Sequence, residues 1–123
     1  MAQRPKLYHL TQLWLELTRQ LHKVSAPDQQ AHFGNRANIL LVGVAVYLGT
    51  IEDRPMTATK LAAFVGMPRP TAIRRLRLLC RRGAVERVGN TYRTTTRQLD
   101  RVSRRDAEAM AKLVRRTHEA ISR

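Results

Sequence analysis

The amino-acid sequence predicts a mainly α-helical fold with one small β-hairpin. Over most of the chain, apolar residues recur at spacings of three and four, the periodicity of an amphipathic helix. Gly89-Asn90 separates two short runs with strand character, residues 84–88 and 91–94, and this dipeptide is a common two-residue hairpin turn. The 123 residues, of which 43% are hydrophobic, are enough for a single domain with a modest core.

An N-terminal helix is predicted over residues 6–24. Its apolar residues alternate spacings of three and four, which gives the repeat of about 3.5 residues found in helices that pack against other helices. Packing on the chain's own core would explain this repeat, but we favour a dimerisation helix because a second such seam occurs near the C-terminus. The dimerisation residues predicted here are Leu7, Leu10, Trp14, Leu17, Leu21 and Val24.

The next predicted helix, residues 36–49, follows a polar loop with a proline at residues 25–35. This helix is apolar nearly all round, which predicts that it is the central buried element of the core. Its β-branched residues would also suit a strand, but an apolar run longer than about ten residues favours a helix. Residues 50–55 form a connection, in which Pro55-Met56 is a candidate for a minimal third strand.

Two consecutive helices joined by a short turn are predicted between residues 57 and 82. Thr57 is a candidate N-cap for the first helix, and Gly66 ends it where a left-handed residue is favoured. Pro68 and Pro70 fit the first turn of the second helix, where no amide proton is needed. Two helices with such a turn form the helix-turn-helix signature. The core-facing residues predicted in the first helix are Leu61, Ala62 and Val65.

The second of these helices, residues 69–82, combines an apolar stripe with an arginine-rich face. It contains six arginines and no acidic residue. At about 100° per residue, Ala72, Leu76 and Leu79 fall on one side of the helix. A helix with this many unneutralised like charges indicates a polyanionic partner, although a solvated basic face is the simpler alternative. The opposite side carries Pro70, Arg74, Arg77 and Arg81.

A helix-turn-helix followed directly by a β-hairpin is a winged helix, which we predict for residues 36–94. The residues that carry a recognisable pattern are Leu61, Ala62, Gly66, Met67, Thr71, Leu76, Leu79, Arg81, Arg82, Gly83, Ala84 and Val85. This pattern resembles the winged-helix core of bacterial transcriptional regulators of the MarR type and, as a second choice, of the IclR type. The MarR resemblance implies that the first and last helices of two subunits intertwine to form a dimer.

The C-terminal region, residues 97–122, is predicted to be helical with an interruption near Ser103. Ser103 and Asp106 resemble a capping box with Asp in place of Glu. From Ala107 to Ile121, inward-facing residues again alternate spacings of three and four, as an intertwined dimer would require. The dimerisation residues predicted in this region are Met110, Val114 and Ile121.

The charge balance restricts the classes of partner. A formal net charge of +14 and a pI near 11.6 indicate nucleic acid or an anionic membrane surface. The longest apolar run, residues 39–48, is too short to span a bilayer, and residues 1–6 do not lead into the apolar region of a signal peptide. We therefore expect a cytoplasmic protein without membrane association, which the single cysteine, Cys80, also fits.

The titratable residues form no catalytic or metal-binding pattern in the sequence. The four histidines never occur three or four residues apart, and Cys80 has no neighbouring ligand. There is no glycine-rich phosphate loop and no nucleophile motif. We therefore expect neither an enzyme nor a cofactor or metal. Cys80 lies beside the apolar stripe and is interpreted as a buried thiol rather than as a redox sensor.

These observations together predict a sequence-specific transcription regulator, a repressor, that binds double-stranded DNA at an inverted repeat as a homodimer. A small-molecule effector would be a further partner of unspecified class. The alternatives are a non-regulatory nucleic-acid binder, such as a replication, partition or nucleoid-associated factor, and a protein-binding winged-helix adaptor, which the charge disfavours. The residues predicted to contact bases are Arg69, Thr71, Arg74 and Arg77. Those predicted to contact phosphates are Thr57, Arg75, Arg81, Arg82, Arg87 and Arg93, and Pro70 and Asn90 complete the predicted surface.

Overall fold

The computed structural model describes residues 4–25, 33–101 and 104–123. The elements fall into two compact units, one with the first and last helices and the other with everything between them. The predicted class, mainly helical with a small antiparallel sheet in a winged helix-turn-helix arrangement, is confirmed. The order of elements is α1 (Lys6–Ser25), α2 (Phe33–Ile51), β1 (Met56–Thr57), α3 (Ala58–Val65), α4 (Arg69–Arg81), β2 (Val85–Val88), β3 (Thr91–Thr94), α5 (Thr96–Arg101) and α6 (Arg104–Ile121).

The core of the second unit lies where α2, α3, α4 and the sheet meet. Leu61 of α3 and Leu76 of α4 are almost completely covered. Burying a side chain of this size stabilises a fold by roughly 1.5–3 kcal/mol, so these contacts hold α4 firmly against α3. The buried cluster consists of Ile39, Val42, Ala45, Val46, Ala58, Leu61, Leu76, Leu79, Ala84 and Val85.

α2 is a helix, as predicted, but it is not buried all round. Val42 and Val46 are covered, whereas Leu41 and Ile51 are 51% and 60% exposed. The neighbouring elements of this unit cover only one stripe of the helix, however apolar the remaining surface is. The prediction that α2 is the central buried element therefore holds for this stripe, which supplies Ile39, Val42, Ala45 and Val46 to the core, and not for the rest of its surface. The helix is also longer at both ends than the predicted range of 36–49.

α3 begins and ends at the residues that the sequence indicated. Thr57 has an extended backbone, with φ −74° and ψ 165°, and its Oγ1 accepts a hydrogen bond from the Lys60 amide at 3.2 Å. Gly66 is left-handed, with φ 84°, and its N–H donates to the Ala62 carbonyl at 2.8 Å. These two caps fix the length of α3 and direct the chain into α4.

The three strands form an antiparallel sheet in the order β1-β3-β2. β1 lies at Met56–Thr57, so the minimal third strand exists, although it begins at Met56 rather than at Pro55. The Thr94 amide donates to Thr50 Oγ1 at 2.9 Å, which attaches the sheet to the last turn of α2.

The connection from α4 to β2 differs slightly from the prediction. α4 ends at Arg81 rather than at Arg82, and Gly83 reverses the chain with a φ of 76°. The Ala84 amide donates to the Leu79 carbonyl at 3.1 Å. The Ala84 amide therefore completes the cap of α4, while its carbonyl accepts from the Thr95 amide directly after β3, and β2 begins at Val85.

In the first unit, α1 and α6 pack against each other. Arg116 Nη2 of α6 lies 2.6 Å from Glu16 Oε2 of α1. Thr117 is buried, and its hydroxyl donates to the Leu113 carbonyl at 2.9 Å. Leu113, which the predicted seam omitted, is half-buried, whereas Val114 is 48% exposed. Val114 thus lies at the margin of the contact within this unit.

α1 also carries apolar side chains that α6 does not cover. Leu7 is 71% exposed and Trp14 is 67% exposed, whereas Leu17 and Leu21 are half-buried. α1 therefore leaves the N-terminal part of its apolar stripe exposed.

Three sequence predictions fall on residues that are not described. They are the centre of the loop predicted over 25–35, the capping box at Ser103, and the side chain of Val24. The interruption predicted near Ser103 also falls on these residues, since α5 is described to Arg101 and α6 from Arg104.

Candidate nucleic-acid interface

α4 has one buried face and one exposed cationic face. Ala72, Leu76 and Leu79 are buried in the core of the second unit, as predicted. On the opposite side, the exposed residues include Pro70, Arg74, Arg77 and Arg81, again as predicted. The packing of the apolar stripe therefore determines the direction in which the arginines point.

The predicted base-contacting residues begin in the first turns of α4. Pro68 is the N-cap residue and Pro70 lies in the first turn. Backbone amides at these positions have no acceptor within the helix, so the lack of an amide proton in proline costs no hydrogen bond. Arg69 Nε donates to Thr59 Oγ1 of α3 at 3.1 Å. This bond links the two helices of the helix-turn-helix at the surface and orients the Arg69 guanidinium beside the N-terminus of α4.

One turn further along, Arg74 Nη2 lies 3.4 Å from Thr71 Oγ1. Arg74 is exposed and Thr71 is half-buried. A hydroxyl and a guanidinium next to each other offer several donors to the acceptor atoms of a base pair in the major groove.

Two of the predicted phosphate-contacting arginines are less accessible than the rest. Arg75 is half-buried and its Nε is covered, and Arg82 is half-buried at the C-cap of α4. Burial, and to a smaller extent the charge of Arg81, lowers the pKa of the Arg82 guanidinium. Helical spacing explains the difference, because positions 75 and 82 border the apolar stripe rather than the centre of the exposed face.

The register of the hairpin places the two wing arginines on opposite faces of the sheet. Arg87 is paired with Tyr92 and Glu86 with Arg93, and side chains alternate between faces along a strand. Arg87 Nε donates to the Gly89 carbonyl at 2.9 Å, which directs this guanidinium toward the tip of the hairpin. The structure therefore does not bring Arg87 and Arg93 together as one phosphate contact.

On the face of the sheet that carries Arg93, the positive charge is partly offset by the neighbouring Glu86. Arg93 Nε lies 4.0 Å from Glu86 Oε1, and both side chains are about half exposed. Ion pairs at this exposure are weak and are screened by salt. Asn90 is exposed at the turn, and so is Val88 beside it, which the sequence interpretation did not select.

The first turn of α3 adds a cation that the sequence interpretation also missed. Lys60 is exposed, and its amide is bound by the Thr57 cap. Thr57 itself is half-buried, but its hydroxyl proton remains available after Oγ1 has accepted this bond. Lys60 could have been found from the sequence, because it is a cation in the first turn of α3, directly before the inward-facing Leu61 and Ala62.

Cys80 is half-buried beside the apolar stripe of α4. Desolvation raises the pKa of its thiol, and the positive charge of Arg87 opposes this effect only in part. The thiol is therefore less readily ionised than a free cysteine, which fits a packing role. In the part of the chain that the structure describes, no group of three or more His, Cys, Asp or Glu side chains is placed to hold a metal ion.

Comparison with known families supports the helix-turn-helix assignment. Residues 51–89 match the family model of the IclR helix-turn-helix domain, a range from the end of α2 to the hairpin turn. The match supports a DNA-binding role in transcription regulation. It corresponds to our second choice of resemblance, whereas the MarR type is not confirmed. No curated protein matches the chain. Among the described helices, none is long and apolar enough to cross a membrane.

Proposed function

We propose that this protein is a sequence-specific repressor of transcription that binds an inverted-repeat site on double-stranded DNA as a homodimer. The observation that carries the proposal is the exposed arginine face of α4, the second helix of a helix-turn-helix. We propose no catalytic activity for it.

The exposed arginines of α4 are available for an external anion. Arg74, Arg77 and Arg81 are exposed, and no carboxylate of the described residues pairs with them. Like charges held along one helix repel each other, and a polyanion relieves this repulsion while releasing its own counterions. With a net charge of +14, the rest of the chain favours the same partner.

In the proposed complex, the N-terminal half of α4 enters the major groove. A guanidinium there can donate two hydrogen bonds to O6 and N7 of one guanine, so Arg69, Arg74 and Arg77 are the proposed readers of sequence. Arg81, Lys60 and the wing arginines are the proposed phosphate contacts, which fix the position of α4 without reading bases. Binding at a promoter would exclude polymerase and thereby repress, with no need for an activating surface.

The proposed dimer rests on the exposed apolar face of α1. Leu7, Leu10 and Trp14 are exposed there, and Val114 is an exposed large apolar residue of α6. Apolar side chains of this size grouped on one surface are typical of association sites. In a two-fold dimer the same patch meets its own copy, and the two α4 helices are related by the same axis.

The geometry of B-DNA then constrains the site. Two recognition helices on one side of the duplex must lie about 34–36 Å apart, or at a multiple of one helical turn. Selection of bound duplexes from a random pool tests this directly. We expect an inverted repeat whose half-site centres are about 10 base pairs apart, or a multiple of one turn. Selected sites without inverted symmetry, together with a monomer in sedimentation at micromolar concentration, would reject the dimer.

The strong positive charge also favours a second candidate, a nucleic-acid binder without sequence preference. Such a factor would use the same arginine face for phosphates alone. The selection experiment separates the two functions, because a packaging or partition factor would enrich no common sequence.

A further inference from the structure

A second group of arginines lies at the C-terminal end of α4, beyond the residues proposed to read bases. Arg97, in the first turn of α5, has its Nη1 3.2 Å from the position that a Cβ on Gly83 would occupy. Gly83 directly follows Arg81 and Arg82. We refer to Arg81, Arg82 and Arg97 as the α4–α5 arginine cluster.

Hydrogen bonds across the hairpin fix α5 at this place. Thr95 Oγ1 donates to the Gly83 carbonyl at 2.7 Å and accepts from the Gln98 amide at 3.2 Å. The Thr95 amide also donates to the Ala84 carbonyl at 3.1 Å. The start of α5 is therefore attached to the turn after α4, which keeps Arg97 close to Gly83.

The two exposed members of this cluster, Arg81 and Arg97, are not neutralised by nearby carboxylates. Within the described ranges neither of them forms an ion pair. Asp100, the acidic residue of α5, pairs with neither of them. Burial first and the charge of Arg81 second lower the pKa of Arg82, so Arg81 and Arg82 repel each other at this end of α4. An anion bound at this point would reduce that repulsion.

The length of α4 brings this end of the helix to the DNA backbone. With 13 residues and a rise of about 1.5 Å per residue, α4 is about 20 Å long. The major groove of B-DNA is about 8.5 Å deep. A recognition helix contacts base edges with its N-terminal residues, so a helix of this length that enters the groove end-first brings its C-terminal end to the level of the sugar–phosphate chain.

We propose that the α4–α5 arginine cluster binds a backbone phosphate that flanks the base pairs read by α4, and that Arg97 is a DNA-binding residue. This inference rests on the proposed function, because it requires α4 in the major groove. It adds a contact from α5, outside both the helix-turn-helix and the hairpin.

The first test is Arg97→Ala in binding titrations on a selected duplex at several salt concentrations. The slope of log K against log[salt] should fall by about 0.9 for each phosphate that the variant no longer binds. The ratio of affinities for selected and random duplexes should stay unchanged, because a phosphate carries no base identity. The matched control is Arg123→Ala, which removes one exposed arginine after α6. An equal fall in slope for both variants would show that the loss of any one positive charge has this effect, and it would overturn the proposal.

A helix C-terminus also stabilises neighbouring cations through its dipole, so a purely structural role for Arg97 has to be distinguished. Such a role would lower the melting temperature of Arg97→Ala and leave the salt slope as in the wild type. That result would overturn the proposal. We expect the opposite, an unchanged melting temperature and a reduced slope.

The second test locates the contact on the DNA. In a series of duplexes, single phosphates are replaced by uncharged methylphosphonates. One replacement flanking the specified bases should weaken the wild type more than it weakens Arg97→Ala, which keeps Arg81 and Arg82 at this phosphate. If every replacement weakens both proteins equally, Arg97 binds no phosphate and the proposal is overturned. Arg74→Ala is measured in parallel. If it binds the selected duplex more weakly than the wild type while Arg97→Ala behaves like the wild type, only the proposal on Arg97 fails. If the wild type shows no salt-dependent binding to the duplex, the proposed function itself fails.

Discussion

Arg74 lies on the exposed face of α4, where its guanidinium is placed to read a base. Replacing Arg74 by Ala should cost about 1–3 kcal/mol on the selected duplex and relax the base preference at one position. Arg93→Ala, on the wing, is the comparison variant and should weaken selected and random duplexes alike. Competition titrations with both kinds of duplex measure the two effects. A uniform loss of affinity for Arg74→Ala would show that Arg74 contacts only phosphate.

Gly66 is the residue at which backbone conformation alone determines the choice of amino acid. Its φ is 84°, and a Cβ added there would have no atom within 4 Å. Gly66→Ala should therefore destabilise the fold through backbone strain without any clash, by about 1–2 kcal/mol in urea unfolding. Gly66→Asn should cost less, because Asn tolerates the left-handed region. Equal stability of all three proteins would refute the assignment of Gly66 as a strained cap.

At the same scale, the wing shows a consequence of the predicted turn that the choice of site residues did not take into account. The Gly89-Asn90 turn was recognisable from residue type, and the turn is where it was predicted. The faces of Arg87 and Arg93 follow only from the register of β2 against β3. A two-residue turn fixes the register of its hairpin, so the predicted turn already implied the pairing of Val88 with Thr91 and the opposite faces of Arg87 and Arg93.

Among the elements, α4 depends most on its apolar stripe. Leu76 is almost fully buried between α4 and the rest of the core, so Leu76→Ala should destabilise the fold by about 2–5 kcal/mol. Arg77→Ala, one position along and exposed, should leave thermal unfolding nearly unchanged while weakening DNA binding. If the melting curve of Leu76→Ala coincided with that of the wild type, the buried face of α4 would be assigned incorrectly.

The contrast between α4 and α2 explains why one helix was predicted well and the other only in part. In α4 the apolar and charged residues alternate with helical period, so the sequence itself defines the buried side. In α2 nearly every position from Ile39 to Leu48 is apolar or small, so no period distinguishes the faces. The neighbours supplied by the tertiary fold decide that Val42 is covered and Leu41 is not.

Arg97 illustrates a related difficulty between elements. The sequence separates it from Gly83 by the whole hairpin, and no motif connects the two residues. Their proximity arises from the hydrogen bonds of Thr95 to the turn after α4. Such contacts form only because the hairpin brings residue 95 back beside residues 83 and 84. The spacing of residues along the sequence does not predict them.

For the whole molecule, a net charge of +14 predicts that DNA binding depends steeply on salt. If six to ten phosphates are contacted, affinity should fall by roughly 10³- to 10⁵-fold between about 50 and 200 mM salt. Titrations of one duplex over this range provide the measurement. A flat response would contradict duplex binding through the arginine face.

Sequence-specific recognition is tested most directly by comparing two duplexes of equal length and composition, one selected and one scrambled. The measured quantity is the ratio of the two affinities. Both duplexes offer the same phosphates, so at one fixed salt concentration only base readout and the shape of the DNA distinguish them. Specific regulators typically bind their sites about 10³- to 10⁷-fold more tightly than other sequences. We predict a ratio of at least about 10³ for the wild type. A ratio near one would contradict the proposed regulator and leave a winged-helix protein that binds DNA without regard to sequence.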